Sequence, residues 1–254
     1  MNDPLIIGNK KFSSRFILGS GKFSLDMTAK VMGASGVEMA TMAIRRANPD
    51  GEGNIMDYIP KDLVFLPNTS GARNADEAVR LAHFARELTG GDFVKVEVIR
   101  DSKYLLPDNY ETIKATRLLA DEGFIPMVYM MPDLNVARDL ESSGAGAVMP
   151  LASPIGSNKG LLTKDFIKIL VDEINVPIIV DAGIGSPSQA CEAMEIGVDA
   201  VMANTAIATA NNIVQMAEAF KLAIKAGRYA YLAGLGRILN FKGEASSPLT
   251  GFLK

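Results

Sequence analysis

The run Phe93-Val94-Lys95-Val96-Glu97-Val98-Ile99 places a lysine and a glutamate at alternate positions among valines. A strand turns alternate side chains to opposite faces, so Val94, Val96 and Val98 share one face and Lys95 and Glu97 the other. Valines suit a face packed on helices, which directs both charges inward. A buried ammonium is costly unless paired or reactive, and desolvation lowers its pKa toward the range where a neutral amine attacks a carbonyl. A Schiff base is the chemistry such a lysine offers. A structural Lys95/Glu97 ion pair is the plainer reading, between residues about 6.5 Å apart at the backbone.

Two further segments end apolar runs with polar or glycine residues: Val180-Asp181-Ala182-Gly183-Ile184-Gly185 and Ala203-Asn204-Thr205. Glycine lets backbone N–H groups approach an anion, and a helix start adds partial positive charge, so a phosphate is the ligand that two adjacent ends of this kind would hold. Alternatively, Gly183 and Gly185 only make a tight turn capped by Ser186 or Ser188, and Thr205 is only an N-cap. Asp181 could serve as general acid or base, or cap a loop. The segment from Pro150 to Gly160 reads as a polar-tipped loop suited to covering a ligand, or as a plain connection.

The elements that must position these residues alternate between short apolar runs and longer segments of helical period, the mark of βα units around a parallel sheet. Eight runs are expected as strands: 16–19, 37–42, 64–66, 93–99, 125–130, 147–151, 177–180 and 200–203. Helices are expected at 25–34, 75–88, 110–121, 135–142, 164–173, 188–195 and 207–226, with a loop from Arg45 to Pro60. Without a linker or composition break, the pattern fits one α/β domain over residues 1–254, a (β/α)8 TIM barrel whose chemistry belongs at the C-terminal strand ends. Pro4 to Phe12 reads as a short extra hairpin at the foot, and Gly227 to Lys254 as an irregular tail.

The chain has 254 residues, 48% hydrophobic, enough for a core that needs neither disulfide nor structural metal. One cysteine, Cys191, and one histidine, His83, leave no Cys/His metal cluster. His83, inside an expected helix, reads as a surface or packing residue, and Cys191 as small core filler. The 13 methionines read as core packing, and Arg45-Arg46 as an anion contact or a solvated pair. A net charge of −3 gives no overall attraction to nucleic acid or anionic membranes. The uncharged stretch from Ala200 to Ala217 carries Asn204, Asn211, Asn212 and Gln215, a composition unfit for a bilayer. A soluble, cytoplasmic protein is the expectation.

The segments Leu18-Gly19-Ser20-Gly21-Lys22, Ala43-Ile44-Arg45-Arg46, Leu66-Pro67-Asn68-Thr69-Ser70-Gly71, the Lys95/Glu97 strand, Val148-Met149-Pro150-Leu151, Pro154-Ile155-Gly156-Ser157, the Asp181 segment and Asn204-Thr205-Ala206-Ile207-Ala208 together resemble the thiazole synthase family of bacterial thiamine biosynthesis, in the expected order. The resemblance implies a sulfur-transferring barrel enzyme. Its substrates would be 1-deoxy-D-xylulose 5-phosphate, dehydroglycine (an imine) and sulfur from the thiocarboxylate of a small sulfur carrier protein. It further implies that Lys95 forms the imine and that Gly156, Ala182, Gly183, Asn204 and Thr205 bind the sugar phosphate. Glu97 and Asp181 match the family's candidate acid/base residues. No metal or cofactor is expected; a homo-oligomer and a dehydroglycine-producing enzyme are expected partners.

The sequence departs from the family pattern at Tyr129-Met130-Met131-Pro132-Asp133, where relatives usually carry Tyr, Cys and a pair of Asp, and at Gly236 to Glu244 before Ala245-Ser246-Ser247-Pro248 resumes it. Two other classes share the pattern of residues: a lysine-imine aldolase, which needs no sulfur carrier, and a non-catalytic phosphate-binding barrel, which needs no lysine in reach of a ligand.

Overall fold

The structure, a computed structural model, describes residues 3–43 and 63–240. Arg45-Arg46, the expected loop from Arg45 to Pro60 and the segment from Ala245 to Pro248 lie outside the described residues. An antiparallel hairpin of β1 (Leu5–Ile7) and β2 (Lys10–Phe12) precedes eight parallel strands. These are β3 (Phe16–Gly19), β4 (Met39–Ala43), β5 (Val64–Asn68), β6 (Phe93–Val96), β7 (Ile125–Met130), β8 (Ala147–Pro150), β9 (Ile179–Val180) and β10 (Ala200–Ala203). The ladder closes on itself through bridges Val148↔Ile178 and Leu151↔Asp181, so the sheet is a barrel.

Between the strands run α1 (Leu25–Ser35), α2 (Ala75–Thr89), α3 (Asn109–Asp121), α4 (Leu134–Ser142), α5 (Lys164–Glu173), α6 (Pro187–Glu195), α7 (Thr205–Ala208) and α8 (Ile213–Ala233). Local chemistry sets their starts. Asn74, Asp108, Asp133 and Asn212 each accept a backbone N–H of the first turn, and Ser186 with Gln189 forms a capping box ahead of Pro187.

The side-chain parity of the strands divides the core in two. Val94, Val96 and Val98 join the layer between sheet and helices, with Phe16, Leu18, Val128 and Phe220. The alternate positions, among them Ile17, Met39, Leu66, Phe93, Met127, Met149, Ile179 and Met202, fill the barrel interior. Several of the expected core methionines thus sit inside the barrel. Leu5, Ile7 and Phe12 of the hairpin join the same interior cluster, so the hairpin plugs the foot. Asp3 ties it down, pairing with Arg228 at 2.8 Å and Arg15 at 3.0 Å.

Three expectations are corrected. The expected helix 207–226 is two helices, since α7 ends at Ala208 and α8 starts after the Asn212 cap. The irregular tail does not start at Gly227, because α8 continues to Ala233. A Cβ at Gly227 would lie 2.4 Å from the Cys191 carbonyl, so this glycine permits close packing of α8 on α6. Cys191 is half-buried with Sγ 3.6 Å from Glu195 Oε1, on the flank of the core rather than within it.

Candidate active site

The inward face of β6 carries the site. Beyond Val96 regular pairing with β5 gives way to a side chain: the Thr69 hydroxyl accepts from Glu97 N–H at 2.9 Å and donates to the Glu97 carbonyl at 3.0 Å. Val98 then bridges Ala72. This substitution carries strand geometry two residues past β6 and keeps Glu97 in phase with Lys95. The expected strand to Ile99 therefore ends at Val96 as regular ladder, while the expected parity holds.

Lys95, Glu97 and Asp181 are 4%, 7% and 5% exposed, so three ionisable groups share the buried upper end of the barrel. Lys95 Nζ lies 2.5 Å from Asp181 Oδ2 and 3.7 Å from Glu97 Oε2. Met202 Sδ stands 3.7 Å from the same nitrogen, and the Tyr129 ring centroid 5.5 Å away. Burial alone drives the lysine amine downward, but the Asp181 and Glu97 carboxylates more than reverse this, and its pKa stands above the usual lysine value. The expectation of a resting neutral amine is corrected accordingly: two converging carboxylates hold it as ammonium. Burial pushes the Glu97 carboxyl up, with Lys95 opposing, and the Ser70 side chain hydrogen-bonds to it. The Tyr129 hydroxyl is raised by burial and by the carboxylates beyond it.

Lys95, Glu97, Asp181 and Met202 line a cavity of about 270 Å³ together with Gly21, Lys22, Thr41, Asn68, Ser70, Ile155, Gly156, Ala182, Gly183, Asn204 and Thr205. Each candidate residue thus lines one cavity at the C-terminal mouth of the barrel. A second cavity, about 300 Å³, lies at the opposite end between the residues flanking the hairpin (Asp3, Ser13 and Ser14), the start of β3 and α8, where Arg15 and Arg228 are committed to Asp3.

The β9 end turns sharply: Ala182 and Gly183 both have left-handed backbones, φ +60° and +81°. A Cβ at Gly183 would fall 2.7 Å from the Ser153 nitrogen and carbonyl oxygen, so only glycine allows the β9 turn to lie against the loop after β8. That loop is locked rather than loose. Gly160 N–H donates to the Gly183 carbonyl at 2.7 Å, and the Asn158 carbonyl occupies the space beside Gly185. Gly156, φ +74°, faces the open cavity instead. Asn204 is the α7 N-cap without a side-chain capping bond, and its Oδ1 is buried without a hydrogen-bond partner. Leaving such an atom unpaired costs about 1–3 kcal/mol, so this oxygen is suited to a ligand hydroxyl.

Tyr129, Ser70, Asn68 and Lys22 were not singled out as site residues from the sequence. Alternation along β7 could have found Tyr129, but the other three stand on ordinary loop or strand-end positions. His83 is exposed, 2.8 Å from Glu122 and edge-on to Phe124, away from this cavity as expected. Among the described residues no group of three His, Cys, Asp or Glu side chains is placed to hold a metal ion, and no helix is long and apolar enough to cross a membrane.

Comparison with known proteins agrees with this geometry. The family model of the thiazole biosynthesis protein ThiG matches residues 6–248. Thiazole synthase of Clostridium beijerinckii is 68% identical over 252 residues, covering 99% of this chain and 98% of the relative. That of Fusobacterium nucleatum is 66% identical over 253 residues, covering 100% and 98%. Among solved structures, the Amycolatopsis orientalis BexX/CysO complex superposes with a TM-score of 0.84 at 31% identity, covering 94% of this chain and 100% of that one. The chain belongs to the ThiG family of thiazole biosynthesis proteins, the thiazole synthases.

Proposed function

We propose that the chain, acting as one catalytic domain, condenses 1-deoxy-D-xylulose 5-phosphate, dehydroglycine and carrier-borne sulfur into a thiazole phosphate carboxylate through a Schiff base on Lys95. The observation that carries this reading is the buried Lys95 ammonium set between Asp181 and Glu97 at the mouth of the barrel.

Each group has a task in this reading. Asp181, in contact with Nζ, takes the ammonium proton as the amine attacks the ketone carbon. The carbinolamine loses water to give the protonated imine, the carbonyl oxygen leaving with protons supplied by the carboxyl groups. The imine acidifies the adjacent C–H, and Glu97, its affinity for protons raised by burial, removes that proton and returns it farther along the sugar. The carbonyl can then migrate before sulfur enters. Gly156, Ala182, Gly183, Asn204 and Thr205 hold the phosphate end, away from the reacting lysine.

Sulfur would arrive as the thiocarboxylate of a small carrier protein. BexX was solved in complex with CysO, which supports a protein partner for this chain as well. An exposed apolar stripe of Leu162, Phe166 and Ile169 at α5 supports a homo-oligomer. The test is product formation. With all three substrates the protein should yield a thiazole phosphate, detected by mass, and omission of the carrier thiocarboxylate should abolish it. Cleavage of the ketose phosphate without carrier would instead favour an aldolase.

A further inference from the structure

The Lys95 end of the cavity is electrically occupied, since both carboxylates of the lining are engaged by Lys95. When all three groups are ionised, that end carries net negative charge and repels a phosphate dianion. At the other end α7 is only four residues long, so a helix dipole contributes little there. Backbone N–H groups and the Thr205 hydroxyl would then have to hold a doubly charged group without a counter-ion.

Among the described lining residues, Lys22 is the one further charged side chain. It stands on the segment between β3 and α1 and is an exposed residue of the cavity lining. A Cβ built on Gly156 would lie 3.9 Å from Lys22 Nζ and 3.8 Å from Thr205 Oγ1, with no other atom nearer. Three connections, after β3, β8 and β10, thus converge on a niche that no side chain fills. An ammonium, a hydroxyl and a glycine backbone around an open space are the groups a phosphate monoester needs.

We propose that Lys22 is the counter-charge for the phosphate and makes the pocket selective for phosphorylated over neutral ketoses. The proposal rests on the substrate class assigned above, and adds that a side chain on the β3–α1 segment, beyond the β9 and β10 turns, determines that class. Lysine suits the place because a compact charge on a flexible stem can follow the phosphate as the ketone swings toward Lys95. It also assigns separate roles to the two amines of the cavity: Lys95 covalent, Lys22 electrostatic.

The experiment is calorimetric titration of the native protein, Lys22→Met and Lys22→Arg with inorganic phosphate, 1-deoxy-D-xylulose 5-phosphate and unphosphorylated 1-deoxy-D-xylulose. Loss of a charge-assisted contact should weaken both phosphate ligands by about 10- to 100-fold in Lys22→Met. Lys22→Arg should retain most of the affinity, and the neutral ketose should bind all three proteins alike. Equal phosphate affinity in native protein and Lys22→Met, parallel loss for phosphorylated and neutral ketose, or no phosphate binding by the native protein would each overturn the assignment. Adduct formation at Lys95 is scored separately. Lys22-dependent phosphate binding without an adduct would contradict the Schiff-base reading and leave the role of Lys22 supported.

Discussion

Asp181 Oδ2 meets Lys95 Nζ at 2.5 Å across the barrel, closer than Glu97, which shares the lysine's own strand and stands at 3.7 Å. The nearer carboxylate is the natural recipient of the ammonium proton, and the farther one is left to act on substrate. Replacing Asp181 by Asn removes a group that holds the amine protonated while burial still lowers its pKa. Imine formation should therefore begin at lower pH in Asp181→Asn than in the native protein. The rate of borohydride trapping as a function of pH measures this; a shift to higher pH would show that Asp181 does not set the lysine's protonation.

Glu97→Gln should still form the imine but turn over about 10²- to 10⁴-fold more slowly, the usual loss for a general acid or base. Single-turnover trapping and steady-state product formation, measured on the same preparation, separate the two steps. A variant that loses binding but turns over normally at saturation would remove Glu97 from proton transfer.

Gly183 and Gly156 should respond differently to substitution. Gly183→Val drives a Cβ into the Ser153 backbone at a left-handed residue, so the damage is to folding, with Tm lowered by about 5–10 °C. Gly156→Ala meets no atom nearer than 3.8 Å and bears only the cost of its left-handed backbone, about 1 kcal/mol, so its larger effect should be on phosphate affinity. Thermal melts and phosphate titrations of both variants test the contrast. Gly183 is thus a poor probe of ligand binding, although the sequence marks it as one.

At the foot of the barrel, Arg228 hydrogen bonds, with Arg15 alongside, hold the Asp3 carboxyl below its usual value. A depressed carboxylate pKa stabilises the fold above the unfolded-state value and loses that contribution as pH falls through the folded one. Asp3→Ala should lower Tm at neutral pH, by about 1 kcal/mol of stability after allowance for partial exposure. The difference from native should shrink below about pH 3.8, the ordinary carboxylate value. Melting curves from neutral to acid pH would contradict this if the gap stayed constant.

The features legible in the sequence are those written in local pattern. Strand alternation placed Lys95 and Glu97 inside and three valines outside, and turn residues marked the ends of β9 and β10. Strand ends also put Asp181 at the same mouth as Lys95, but how closely the two approach across the barrel is not legible. Nothing near Lys95 in the chain indicates that Asp181 lies against its nitrogen, and burial, the influence that alternation reveals, points the lysine pKa in the direction opposite to the one the two carboxylates impose. Gly227 misled for a local reason: glycine costs a helix about 1 kcal/mol relative to alanine, and reads as an end unless the neighbour that needs the space, here Cys191 of α6, is known. Lys22 carries no local signal, since an exposed lysine after a glycine is ordinary until Gly156 and Thr205 are seen beside it.

The most direct measurement is borohydride reduction of the native protein with 1-deoxy-D-xylulose 5-phosphate, followed by peptide mass mapping. The expected result is the reduced sugar adduct on the peptide containing Lys95, absent in Lys95→Met, whose side chain is similar in length but lacks the nucleophile and which should still fold and bind phosphate. An adduct on Lys22 or Lys159, or one that persists in Lys95→Met, would contradict covalent catalysis by Lys95.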